Sequence, residues 1–216
     1  MDNRKISCSK QDYTTLTYKK YRDIHNNILY FDNDLDRTTE IISIVYDLEF
    51  DDVENMPITE YRKLAQSCEF LKYPVDNKLK KLYNTLNING TDYTLFTDIE
   101  NMKVSQYIDF SNYIKDADEK IPEILSCFLI PEGHTYNDGY DIKKTINDIN
   151  EYLSVEEVMQ LSAFFLLLSQ SLIKGIIKTK IGKLKRLMRK EKDRTIKEEM
   201  KRRIEVLESQ LSIGLP

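Results

Sequence analysis

Tryptophan is absent from this 216-residue chain, and glycine (6), proline (5), cysteine (3) and histidine (2) are all scarce. Few glycines and prolines argue against a turn-dense β architecture and for helices. Cys8, Cys68 and Cys127 are odd in number and far apart, so they read as reduced thiols rather than a disulfide framework. His25 and His134 have no cysteine near them in sequence and sit in no HExxH pattern, which removes the usual spacing of a zinc site. Only a Cys–His pair meeting in space is left open, and no glycine-rich phosphate loop is present. The expectation is a non-enzymatic protein with no catalytic residues, no metal and no cofactor. Residues 1–10 are polar and charged, so no signal peptide is expected there. The longest uncharged run, residues 158–173, is broken by Gln160, Ser162, Ser169, Gln170 and Ser171. It falls short of the about 20 apolar residues that a membrane span needs. A buried core helix is expected instead, and no membrane partner.

What is present is a division of charge. Residues 174–216 hold 14 Lys and Arg against 6 Asp and Glu, whereas the other 173 residues hold 18 against 30. A basic segment on an acidic body steers association with partners, so binding and assembly are the expected class of activity. Hydrophobic residues make up 41% and charged residues 31% of the chain, with 14 Tyr and 8 Phe, a composition that builds a core.

The apolar spacing predicts helices through most of the chain. Thr17 opens one through Tyr18, Tyr21, Ile24, Ile28 and Leu29. Asp34 caps a second with Ile41, Ile42, Ile44, Val45 and Leu48 on its face, and Thr59 caps a third that Pro74 ends. The period then changes. Residues 82–88 and 93–96 flank Asn89-Gly90, the strongest short hairpin signal, because a two-residue turn needs positive φ at both positions. Helices resume with Ser105 as a cap, with Pro122 in the first turn of a helix over 121–130, and over 141–151. Ser154 and Glu157 make a capping box before the apolar helix. The fold expected is mainly α with a small β-hairpin, arranged as a helical half (1–75), a hairpin insert (76–100), a second helical half (101–173) and a basic helical extension (174–216).

The two halves share some grammar: the segments at 16–23 and 104–109, and at 41–44 and 124–127, match in cap and apolar placement. Either an old duplication or the common pattern of capped helices accounts for this. In the basic extension, Ile173, Ile177, Ile181, Leu184 and Met188 step by 4, 4, 3 and 4, as do Ile196, Met200, Ile204, Leu207 and Leu211. Residues 189–194 interrupt the seam, and Thr195 with Glu198 reads as a new capping box, which favours two helices folded back over one rod. The candidate partner-binding residues are Lys183, Lys185, Arg186, Arg189, Lys190, Ile196, Met200, Leu207 and Leu211. Nucleic acid is the weaker expectation for them, since no aromatic interleaves with the basic residues to stack bases. The polar loop at 131–141 offers Glu132, Asp138 and Asp141 to a cation, but in fewer numbers and other spacing than a calcium loop requires. It reads as an interaction loop or a connection between helices.

From about residue 17 to 183 the chain resembles tailed-phage morphogenesis proteins of the tail assembly chaperone group. The resemblance is carried by Ser105-Gln106-Tyr107-Ile108-Asp109-Phe110, Ile121-Pro122-Glu123-Ile124-Leu125, Phe128-Leu129-Ile130-Pro131-Glu132-Gly133, Tyr136-Asn137-Asp138-Gly139-Tyr140 and the helix over 154–168. It implies a helical protein without an active site that binds phage structural proteins, tail or head–tail components, in the host cytoplasm during virion assembly. A permanent virion subunit (head, connector or tail) is the alternative in that setting. The basic extension lies outside the resemblance, where self-association through the C-terminal helices and nucleic-acid binding are the further expectations.

Overall fold

The computed structural model describes residues 11–76 and 84–212. Cys8 and Leu82 lie outside the described residues, as do the side chains of Ile173 and Leu211. The protein is mainly α with one small antiparallel sheet, and the chain divides into two compact units, Met1–Ala163 and Phe164–Pro216.

In the first unit, α1 (Tyr18–Asn27) is opened by Thr17, whose hydroxyl accepts from the Lys20 amide, and runs into a 3-10 turn at Ile28–Tyr30. The next helix, α2 (Asp34–Tyr46), is capped by Asn33 rather than by Asp34, since Asn33 Oδ1 accepts from the Asp36 amide at 2.8 Å. Asp34 is instead the first helical residue, where its charge suits the positive end of the helix. A left-handed Asp47 (φ 54°) ends α2, and α3 (Phe50–Glu54) follows. Helix α4 (Ile58–Ser67) starts one residue before Thr59, which is therefore not its cap. The Pro57 carbonyl already accepts from the Glu60 and Tyr61 amides, and proline's fixed φ sets the chain for a helix from the next residue.

The expected hairpin is present. Strands β1 (Thr85–Ile88) and β2 (Thr91–Leu95) pair antiparallel with Leu86 opposite Tyr93, and the turn holds Asn89 at φ 50° and Gly90 at φ 76°. The hairpin is not alone in its sheet. After α5 (Val104–Tyr113) and α6 (Ile121–Ser126), a third strand β3 (Leu129–Pro131) pairs with β2, placing Leu129 opposite Leu95 and Pro131 opposite Tyr93. A single helix over 121–130 is thus corrected to a short helix, a turn and a strand. The run Cys127-Phe128-Leu129-Ile130 is buried throughout, and periodicity cannot tell such a run from a helix. The open edge of β2 decides it, with the Phe96 amide donating to the Phe128 carbonyl at 2.8 Å. Ser105 is also no cap: α5 begins at Val104 after an extended Lys103, whose ammonium is held by Thr135 Oγ1 (2.8 Å) and the Tyr136 carbonyl (3.1 Å).

Asp141 caps α7 (Ile142–Tyr152), and Ser154 with Glu157 forms the expected capping box of α8 (Val155–Lys190). In that box Glu157 accepts from the Ser154 amide at 2.9 Å and Ser154 Oγ accepts from the Glu157 amide at 3.3 Å. Last comes α9 (Arg194–Ser212). Its cap is Asp193, which accepts from the amides of Thr195 and Ile196, so Thr195 lies inside the helix and Glu198 pairs with Arg194. Among the described residues no helix is long and apolar enough to cross a membrane.

The start of α8 is joined to the start of α1. Thr17 and Ser154 form a β-bridge, with the Tyr18 amide on the Leu153 carbonyl and the Val155 amide on the Leu16 carbonyl, both at 2.9 Å. Leu16 and Val155 thereby enter one core with Ile24, Ile42, Val45, Val53, Leu64 and Cys68. In the sheet region, Tyr93 is buried and its hydroxyl donates to Asp148 Oδ2 at 2.8 Å, while Lys144 Nζ reaches the same oxygen at 2.6 Å. The segments that match between the halves differ in form: 41–44 lies in mid-α2, 124–127 at the end of the six-residue α6.

Two consequences are measurable. A Cβ at position 90 would meet no atom within 4 Å, so only the Gly90 φ of 76° opposes a side chain there. Gly90→Val should cost about 1 to 2 kcal/mol in urea unfolding for placing a β-branched residue in left-handed backbone. Burial alone would push the Asp148 carboxyl up, but hydrogen bonds from Lys144 and Tyr93 outweigh it and hold the group below its ordinary value. A depressed folded value gives stability that is present above the unfolded pKa, about 3.9, and is lost as pH falls through the folded value. Asp148→Asn should therefore lower the urea midpoint at pH 7, with the gap to the parent narrowing below about pH 4. Parallel pH profiles for the two proteins would mean that Asp148 contributes no such stability.

Candidate functional site

Helix α5 is inside out. Its inward face carries Gln106, only 1% exposed, whose amide donates to the Cys127 carbonyl at 2.6 Å. Asp109 lies on the same side and accepts from the Tyr136 hydroxyl at 2.8 Å, and Phe110 meets Phe128 edge to face at 5.3 Å. The opposite face shows Val104 (76% exposed), Tyr107 (49%) and Ile108 (52%), continued by Ile114 (41%) in the next turn. These four stand at i, i+3, i+4 and i+10, one stripe of a helix. A surface helix ordinarily turns such a stripe to the core. An exposed apolar face backed by paired polar groups is the usual mark of a protein-binding surface.

The polar loop after β3 braces this helix. Lys103 binds Thr135 and the Tyr136 carbonyl at one end, and Tyr136 binds Asp109 in the middle. The loop is itself tied by Thr135 Oγ1 to Asp138 and by His134 Nδ1 against the Asp138 carbonyl at 3.1 Å. Gly139 sits at φ 77°, a backbone conformation that favours glycine, and a Cβ there would stand 3.1 Å from His134 Nδ1. The loop's carboxylates have other work: Asp138 takes the Thr135 hydroxyl and Asp141 caps α7. Among the described residues no group of three or more His, Cys, Asp or Glu side chains is placed to hold a metal ion.

Cys68 and Cys127 are both buried. Burial pushes the Cys127 thiol up to about 12 and the Cys68 thiol up to about 11. Tyr136 is raised strongly, first by burial and then by the nearby Cys127 and Asp109. Cys68 and His25 both line one cavity of about 550 Å³ between α1, α2 and α4. His25 is turned to its own helix, with Nδ1 2.9 Å from the Tyr21 carbonyl and its ring 4.2 Å from that of Tyr21. A thiol held protonated at neutral pH is a poor nucleophile, since the thiolate is the reactive form.

In the second unit, Ile177, Ile181 and Ile204 are buried together, with Leu184, Met188 and Leu207 packed around them. The three-residue link 191–193 and the Lys185–Glu208 ion pair (2.8 Å) show that α9 folds back on α8. Among the candidate partner residues, Lys183, Lys185, Arg186, Arg189 and Lys190 are exposed, as is Ile196 at 44%. Met200 is half-buried and Leu207 joins the seam, while the Leu211 side chain lies outside the described residues. Leu187 (54%) and Val206 (57%), which the seam spacing passes over, are exposed among the basic residues. The α5 face was equally hidden from a sequence reading: its stripe reads as a core face, and the contrary signals are Gln106 and Asp109 opposite it.

The orientation of α5 is testable by opposing substitutions. Gln106→Leu leaves a buried carbonyl without its donor and should cost about 1 to 3 kcal/mol. Ile108→Ser, on the outer face, should stay within about 0.5 kcal/mol of the parent in the same urea titration. The reverse order would turn the helix over. Compared with known proteins, the chain matches no family model, no curated protein and no solved structure.

Proposed function

We propose that this protein is a non-enzymatic assembly factor of the tail-assembly-chaperone kind, which holds phage structural subunits in the host cytoplasm until they enter the virion. The outward apolar face of α5 carries the reading. Val104, Tyr107 and Ile108 have the spacing by which a helix inserts into a partner's apolar groove. Residues 105–110 of α5, and residues 131–133 and 136–140 of the loop that braces it, belong to the segments in which the resemblance to phage morphogenesis proteins resides. A chaperone needs a surface that is rigid but uncovered, and the Lys103 and Asp109 ties supply the rigidity.

Mass spectrometry of purified particles beside the producing-cell lysate tests the setting. Abundance in lysate, absence from particles and a co-purifying structural subunit are expected; fixed stoichiometry in particles would make the chain a permanent virion subunit. Val104→Ser with Ile108→Ser should remove the co-purifying subunit and leave the circular dichroism spectrum unchanged.

The exposed Lys183, Arg186, Arg189 and Lys190 support a second reading, nucleic-acid binding by the C-terminal helices. That reading requires affinity that falls linearly in log K against log salt and disappears on deleting residues 174–216.

A further inference from the structure

A second apolar surface lies on the first unit, away in sequence from α5. Leu35, Thr39, Val53, Met56, Ile58 and Tyr61, from α2, α3 and α4, line a groove of about 330 Å³. Leu35 is 64% and Ile58 60% exposed, so apolar side chains stand open at the groove. Its surroundings are acidic to an extreme degree. Residues 31–61 hold ten Asp and Glu against one basic residue, Arg37. Asp34 and Asp36 flank Leu35, Asp51, Asp52 and Glu54 flank Val53, and Glu54 lines the groove itself. Asp34, Asp51, Asp52 and Glu54 are all exposed, and Arg37 donates to the Phe31 carbonyl and to Asp34, the latter at 3.4 Å.

The complement of this surface is present in the chain. On α8, Leu187 is 54% exposed, and Lys180, Lys183 and Lys190, all exposed, stand at −7, −4 and +3 from it. Those offsets share one helix face, so an apolar knob is ringed by ammonium groups. The acidic lip of the apolar groove and the basic ring about the apolar knob are opposite in sign. Apolar contact at the centre with opposite charges at the rim is the anatomy of a specific interface, in which the rim sets partner choice and on-rate.

The geometry points to self-association: the basic α8–α9 unit of one copy docks, with Leu187 leading, into the acid-lipped Leu35–Ile58 groove of a second copy. Groove and knob are different patches, so the contact is heterologous and each copy offers one of each. The inference uses neither the α5 face nor the phage setting, and it stands or falls apart from the proposed function.

Sedimentation velocity on the full chain tests it, across protein concentration and from about 0.05 to about 0.5 M salt. The mass average should rise with concentration at low salt and return to monomer at high salt. Two charge reversals break the contact from either side: Asp51→Lys with Glu54→Lys on the lip, and Lys183→Glu with Lys190→Glu on the ring. All four residues are exposed, so both variants should keep the parent's circular dichroism spectrum. Each variant alone should associate at least about tenfold more weakly than the parent at low salt, because like charge then meets like. Mixed one to one, they cross-associate: the untouched ring of the lip variant meets the untouched lip of the ring variant, and the lysine lip meets the glutamate ring with the charges inverted. Leu187→Ser should weaken association with no change in its salt slope. A parent that stays monomeric at low salt, including by docking its own tail, overturns the inference. So does association that survives either reversal, or a mixture no heavier than its components.

Discussion

The backbone bridge between Thr17 and Ser154 is the constraint on which the first unit depends. Both residues sit at helix starts, and each cap serves its own helix while the main chains beside them pair. The pairing closes a loop of well over a hundred residues, which is entropically costly to form but grows only slowly in cost with length. What offsets it is burial: Leu16 and Val155, brought together by the bridge, are 1% and 0% exposed and belong to one core with residues from α1, α2, α3 and α4. The first turn of α8 thus belongs to the N-terminal core, although the two are far apart in sequence.

A different kind of interaction supports the C-terminal part of this unit. Several buried polar groups there are paired across elements: Gln106 to the Cys127 carbonyl, Tyr93 to Asp148, Tyr136 to Asp109. A buried polar group without a partner costs more than its bond returns, so such pairs fix geometry more than they add stability. Their effect on α5 is to hold it by its polar side. The apolar side is then left outward, with Val104 and Ile108 more than half exposed.

Charge in this protein is sorted by unit, yet surface ion pairs explain little of its stability. Arg203–Glu199 and Lys185–Glu208 are half-exposed or more, and pairs of that kind contribute at most about 1 kcal/mol each. The second unit rests on a small seam of three buried isoleucines and the residues packed round them. Its lysines and arginines are largely exposed, and exposed charges of this kind add little as bonds within the unit.

Local physics made much of this legible in the sequence. Thr17, the Ser154–Glu157 box, the Asn89-Gly90 turn and the 4, 3, 4 spacing of Ile177, Ile181, Leu184 and Met188 each state their structure within a few residues, because capping, turn chirality and helical period act at that range. The misplaced caps at Thr59, Ser105 and Thr195 show the limit of that range. In each a neighbouring group, the Pro57 carbonyl, the anchored Lys103 or the Asp193 carboxylate, had already set the helix start. Only the tertiary structure decided that 129–131 is a strand, that Gln106 faces in and Ile108 out, and that Leu35 and Ile58 border one groove. Each of these turns on which partner a segment finds far along the chain: an open sheet edge, a free carbonyl, a neighbouring helix. The type of a residue gives its tendency to be buried, whereas the face it turns inward is settled by what the rest of the fold brings beside it.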